Sequence, residues 1–68
     1  MISTDLATKI SDEFRIIGGP QLSFKQAKHM TLIESNDFPT YGITKGNVTY
    51  IAQTTSDGKS VRVRTIIW

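Results

Sequence analysis

Two runs of β-branched and aromatic residues flank an Asp-Gly dipeptide in the last third of the chain. The first is Val48-Thr49-Tyr50-Ile51-Ala52-Gln53-Thr54-Thr55, and the second runs from Ser60 through Val61-Arg62-Val63-Arg64-Thr65-Ile66-Ile67 to Trp68. Asp57-Gly58 between them supports the positive φ angles of a two-residue turn, so the pattern predicts a β-hairpin. Gly46-Asn47 supplies a second turn signal upstream. Three strands follow from these turns, at roughly 39–45, 48–55 and 60–67.

The turns also fix the register. With Asp57-Gly58 at the tip, Ser56 faces Lys59, Thr54 faces Val61, Ala52 faces Val63 and Tyr50 faces Thr65. With Gly46-Asn47 at the other tip, Ile43 faces Tyr50 and Tyr41 faces Ala52. One face of the sheet then carries Tyr41, Ile43, Val48, Tyr50, Ala52, Val61, Val63 and Ile67, and this is the expected core face. The other carries Thr40, Thr44, Thr49, Ile51, Gln53, Thr55, Arg62, Arg64, Ile66 and Trp68. A slip of one residue would bury both arginines, so the hydrophobic pattern protects the register.

Ahead of the sheet, Ser23 is followed three residues later by Gln26, the spacing of a capping box. With Phe24, the residues Ala27, Met30, Leu32 and Ile33 supply an apolar stripe. The pattern predicts a helix from about Phe24 to Ser35, with Lys25, Lys28 and His29 towards solvent. It should stop before Phe38-Pro39, because the residue before proline avoids helical angles. Residues 3–13 are ambiguous. Ser3 can cap a helix, and Leu6, Ile10 and Phe14 recur every four residues, yet Ile2, Leu6 and Ile10 share one strand parity. A short helix is the favoured reading. Phe14-Arg15-Ile16-Ile17 reads as a short strand closed by Gly18-Gly19-Pro20. The expected fold is therefore α+β: one capped helix packed on a three- to four-stranded antiparallel sheet, with a short N-terminal helix or strand.

At 68 residues, the chain is long enough for one domain, 1–68, and no more. A domain of this size buries only about 60% of its extended-chain surface and is marginally stable. It contains no Cys, so neither a disulfide nor a thiolate metal site can reinforce it. No apolar run approaches the roughly 20 residues of a membrane span, and no signal peptide is seen. These features lead to the expectation of a cytoplasmic protein.

The formal net charge of +2 is unevenly placed. In residues 1–34, Lys9, Arg15, Lys25 and Lys28 cancel Asp5, Asp12, Glu13 and Glu34. In residues 35–68, Lys45, Lys59, Arg62 and Arg64 exceed Asp37 and Asp57. The predicted sheet is thus the basic half, a mild preference for anionic partners.

Catalytic constellations are not evident. His29 is the only histidine and has no third partner for a triad. Asp12 and Glu13 are adjacent and point apart. Gly18-Gly19-Pro20 lacks the Gly-Lys-Ser/Thr ending of a phosphate loop. No catalytic residue, cofactor, metal site or small-molecule substrate is therefore expected. The outer sheet face is the better candidate. Arg62 and Arg64, about 6.5–7 Å apart on one strand, can fork onto successive phosphates or a pair of carboxylates. Ile51, Ile66 and Trp68 lie beside them, and Trp and Arg are enriched at binding hot spots. An ordinary solvated sheet face is the competing reading. Either the N-terminal segment or a partner should cover the apolar residues.

Leu22-Ser23, Gln26-Ala27-Lys28, Glu34, Phe38, Gly46, Ala52 and Asp57-Gly58-Lys59 together resemble a family of small phage anti-CRISPR proteins, that of the ninth inhibitor described against type I-F systems. The resemblance covers residues 22–59, with a different spacing between helix and turn. It implies a non-enzymatic inhibitor that binds the repeated backbone (Cas) subunits of an RNA-guided surveillance complex and obstructs target-DNA pairing, with some non-specific DNA contact. Lys28 and Lys59 carry over as matched basic positions. His29 stands where the family has Arg, and the family has a strand in the N-terminal third. The expected partner-binding residues are Lys28, Gln53, Lys59, Arg62, Arg64 and Trp68. Two other readings stay open: a small nucleic-acid-binding regulatory module using the basic sheet face, and a structural phage or host accessory protein.

Overall fold

The computed structural model describes residues 2–68 and shows an α+β fold of two layers. Helix α1 spans Thr4–Ile17 and helix α2 Phe24–Lys28. Four strands follow: β1 Thr31–Glu34, β2 Thr40–Lys45, β3 Val48–Thr54 and β4 Val61–Ile67. They form one antiparallel sheet in the order β1-β2-β3-β4. The β2, β3 and β4 strands and their pairings match the sequence reading, including Thr54 opposite Val61 and Ile43 opposite Tyr50.

The two turns arise differently. Gly46-Asn47 is a two-residue connection between the facing residues Lys45 and Val48. Gly46 has φ 64 while among the described residues no non-glycine has positive φ, which is the type II′ pattern that suits strand twist. The β3–β4 loop is longer than the expected Asp57-Gly58 tip. The Thr55 amide donates to the Ser60 carbonyl at 3.0 Å, and the Gly58 amide to the Thr55 carbonyl at 2.9 Å. The loop thus holds Ser56 to Lys59, with Gly58 at φ 73. Both lengths are even, so the pairing beyond the loop is the same and the register is that of the shorter turn. The Asp57 side chain explains the wider loop. Its Oδ1 accepts from Thr55 Oγ1 at 2.6 Å and from the Lys59 amide at 3.0 Å. These bonds favour the ionised carboxylate and hold its pKa below the ordinary 3.8, the Thr55 hydroxyl contributing most.

A folded-state pKa below the unfolded one gives stability that is present above the unfolded value and lost as pH falls through the folded one. Asp57→Ala is therefore expected to lower the melting temperature at neutral pH. The gap to wild type should close as pH drops below the ordinary carboxylate range. Thermal melts of both proteins across that range check this; a gap that persists in acid would mean that the bonds do not depend on the charge.

The N-terminal half departs from expectation in two places. Residues Phe14–Ile17 are not a strand but the last turn of α1. Ala7, Ile10 and Phe14 fall on one helical stripe and are all fully buried, and burying the Phe14 ring outweighs the weak strand preference of Ile16-Ile17. Ser3 Oγ caps the start by accepting the Leu6 amide at 3.2 Å. Gly18 ends the helix, and Gln21 Nε2 donates back to the Phe14 carbonyl at 3.1 Å, satisfying an orphan acceptor.

The predicted helix to Ser35 stops at Lys28. Its capping box is present: Ser23 Oγ accepts the Gln26 amide, and Gln26 Oε1 accepts the Ser23 amide, each at 3.2 Å. Beyond it, the His29 amide donates to the Gln26 carbonyl and the Met30 amide to the Ala27 carbonyl, each three residues back, and the α-helical ladder does not continue. Thr31 and Ile33 are β-branched and disfavour helix, while Thr31 finds a ladder partner in Gly42. A bulge between Leu32 and Glu34 sends Ile33 onto the outer face, where its Cδ1 lies 2.5 Å from the point a Gly42 Cβ would occupy. Gly42 thus leaves the space that Ile33 fills.

The core lies between the helices and one sheet face. Ile2, Ala7, Ile10, Phe14, Leu22, Ala27 and Met30 meet Tyr50, Ala52 and Val63 there. Phe14 packs edge-to-face on Tyr50, with ring centroids 5.3 Å apart at 83°. Tyr41, Ile43, Val48 and Val61 are half-buried around it. Ile67 has the expected parity, yet it is 63% exposed, beyond the reach of the helices.

Candidate binding face

Both helices lie on the core side, so the opposite face of the sheet is open among the described residues. The N-terminal segment does not fold over it. Alternation along β3 and β4 brings Gln53 opposite Arg62, Ile51 opposite Arg64 and Thr49 opposite Ile66. The ladder continues past β4, where the Trp68 amide donates to the Asn47 carbonyl at 2.8 Å. The indole Nε1–H of Trp68 donates to Thr49 Oγ1 at 2.8 Å, and Thr49 shares a 3.0 Å hydrogen bond with Thr44. This anchors the polar edge of the ring on the sheet while 77% of the residue stays exposed.

The two arginines are exposed, and among the described residues neither has a hydrogen-bonding or ion-pair partner. Gln53 Nε2 approaches Thr40 Oγ1 at 3.5 Å, a weak contact that leaves its amide available. A shallow hollow runs across the face from Glu34 and Thr40 past Ile51 and Gln53 to Arg62 and Arg64. Phe38, also exposed, lines a neighbouring hollow with Gln53 and Arg62. The face therefore combines unpaired cations, an amide and an apolar strip.

Of the six expected binding residues, Gln53, Arg62, Arg64 and Trp68 come together here. Lys59 sits exposed in the β3–β4 loop at the end of the face. Lys28 lies in the helix layer, its Nζ 5.8 Å from the centroid of the Phe24 ring, and does not share the face. Ile33, Glu34 and Phe38 belong to the face and escaped the sequence reading, which had placed the first two on a helix. The β-branched pair Thr31 and Ile33 was the available signal. Glu34 also places a negative charge across the hollow from the arginines.

His29 caps α2 and is exposed. Among the described residues no group of three His, Asp or Glu side chains is placed to hold a metal ion, and no helix is long and apolar enough to cross a membrane. Comparisons of the chain with protein-family models, curated proteins and solved structures find no match.

Proposed function

We propose that this chain is a binding protein without bond chemistry of its own, an inhibitor of the anti-CRISPR kind that seats its open sheet face on a host protein complex. The observation that carries this reading is the free face itself. Two arginines without ion-pair partners stand beside Ile33, Ile51, Ile66 and Trp68, on the side that neither helix covers. Cations flanking a partly exposed apolar strip are the anatomy of a protein-binding patch. The choice of target rests on the resemblance over residues 22–59, which directs the reading to the backbone subunits of an RNA-guided surveillance complex. The capped turn Ser23–Lys28 and the Asp57-Gly58-Lys59 loop lie within that region. The N-terminal helix α1 departs from the family, which has a strand there.

The spacing of Arg62 and Arg64 also suits two successive phosphates, which favours the basic nucleic-acid module as a second reading. One experiment separates the two. The purified chain is added to a purified type I-F surveillance complex, and target-DNA binding by the complex is measured alongside retention of naked duplex by the chain alone. The proposal expects the chain to co-elute with the complex and to abolish its DNA binding. A complex that binds DNA normally at saturating chain sinks the proposal, and duplex retention by the chain alone then supports the nucleic-acid module.

A further inference from the structure

Asp57-Gly58 carries a reaction of its own. In a flexible chain, the amide nitrogen that follows an aspartate attacks the side-chain Cγ. A C–N bond forms, a C–O bond breaks, and the oxygen leaves as water. The cyclic succinimide then takes up water at either carbonyl and opens to aspartate or isoaspartate. A following glycine makes the attack fastest, because no side chain obstructs the nitrogen. No reagent but water is involved. The step requires a neutral carboxyl, since a carboxylate is a poor electrophile, and a nitrogen free to turn onto Cγ.

The β3–β4 loop withholds both. Asp57 is exposed, and nothing lies within 4 Å of the point a Gly58 Cβ would occupy, so bulk does not shield the pair. Hydrogen bonds do. The Ser60 amide donates to Thr55 Oγ1 at 3.2 Å, which leaves the hydroxyl hydrogen to point at Asp57 Oδ1, 2.6 Å away. The Lys59 amide donates to the same oxygen at 3.0 Å. Two donors on one oxygen favour the charged carboxylate, and the Lys9 charge acts in the same direction. The Gly58 N–H is meanwhile turned to the Thr55 carbonyl at 2.9 Å, and the Gly58 carbonyl is held by Lys9 Nζ at 3.0 Å. Thr55 thus grips both reacting groups, the carboxylate through its hydroxyl and the nitrogen through its carbonyl.

We propose that Asp57-Gly58 is a latent isoaspartate site of this chain, held closed by the Thr55 side chain. Isomerisation would insert the Asp57 Cβ into the main chain and leave the α-carboxyl as the side group. The loop would gain one backbone atom, and the carboxylate would leave the position in which Thr55 and Lys59 meet it. The site therefore reacts only when the loop opens, and each reaction leaves a lasting mark of that opening.

Prolonged incubation at mildly acidic pH and physiological temperature tests this, read by trypsin digestion and mass spectrometry with electron-transfer fragmentation. The tryptic fragment 46–59 holds Asp57 as its only aspartate, and isoaspartate separates from it without a change in mass. Thr55→Val keeps the β-branched shape and loses the hydroxyl. It is expected to accumulate isoaspartate about tenfold faster than wild type, the effect of losing a hydrogen bond to a charged group. Thr55→Ser restores the donor and should return most of the protection, which separates the hydroxyl from packing. The gap between Thr55→Val and wild type should narrow in stronger acid, where the carboxyl becomes neutral in both. Circular dichroism checks that each variant is folded. Wild type unfolded in urea gives the unguarded rate and needs no variant; the folded chain should fall well below it. A folded wild type that isomerises as fast as the unfolded chain overturns the proposal. So does a folded Thr55→Val at the wild-type rate, or a Thr55→Ser as fast as Thr55→Val.

Discussion

Phe14→Ala is expected to leave the chain largely unfolded under conditions where the wild type is native. Phe14 is one of the two largest fully buried side chains, the other being Ile10. It joins α1 to the sheet through its contact with Tyr50. Truncating a buried Phe to Ala costs about 3–5 kcal/mol, from lost transfer energy and the cavity left behind. A domain of this length has in total only about 3–10 kcal/mol of stability. The loss is therefore comparable to the whole. Ile17→Ala, one helical turn on but half exposed, should cost far less. Urea titrations followed by circular dichroism and by Trp68 fluorescence measure both. A Phe14→Ala protein with a wild-type midpoint would show that α1 does not anchor the fold.

The same residue marks where the sequence was legible and where it was not. The β2–β4 meander could be read because two signals agreed there: alternation set the faces and Gly-containing turns set the register. Even the unforeseen four-residue loop at Asp57 kept the parity, so the positions of Gln53, Arg62, Arg64 and Trp68 on one face followed from sequence. Before the meander, local and tertiary signals disagreed. Ile16-Ile17 suggested a strand, but Phe14 reaches the core only from a helix. Ser23 and Gln26 announced a helix start correctly, yet the one local sign of its end after a little over one turn was the β-branched pair Thr31 and Ile33. That end depends on Thr31 finding Gly42 across the sheet, a contact made by distant residues. Ile33, Glu34 and Phe38 were lost to the candidate face for this reason.

Reversing both arginines is expected to weaken binding strongly. Arg62→Glu combined with Arg64→Glu removes two positive charges and adds two negative ones, which takes the formal net charge from +2 to −2. Both side chains are exposed on the face away from the core, so the fold should tolerate the change. Towards an anionic partner, the reversal replaces attraction with repulsion, which costs more than neutralisation. Salt dependence then identifies what the arginines touch. Direct contact with duplex phosphates predicts a log–log slope of about −0.9 per phosphate. A protein target held by Trp68 and the isoleucines depends on salt far less, and Trp68→Ala should then be the more damaging change. The indole offers most of its surface to a partner, while its Nε1–H is already committed to Thr49. If the double reversal and Trp68→Ala both leave binding to the target intact, the open sheet face is not the site. The search would then move to the helix layer, where Phe24, Lys25, Lys28 and His29 line another, smaller hollow.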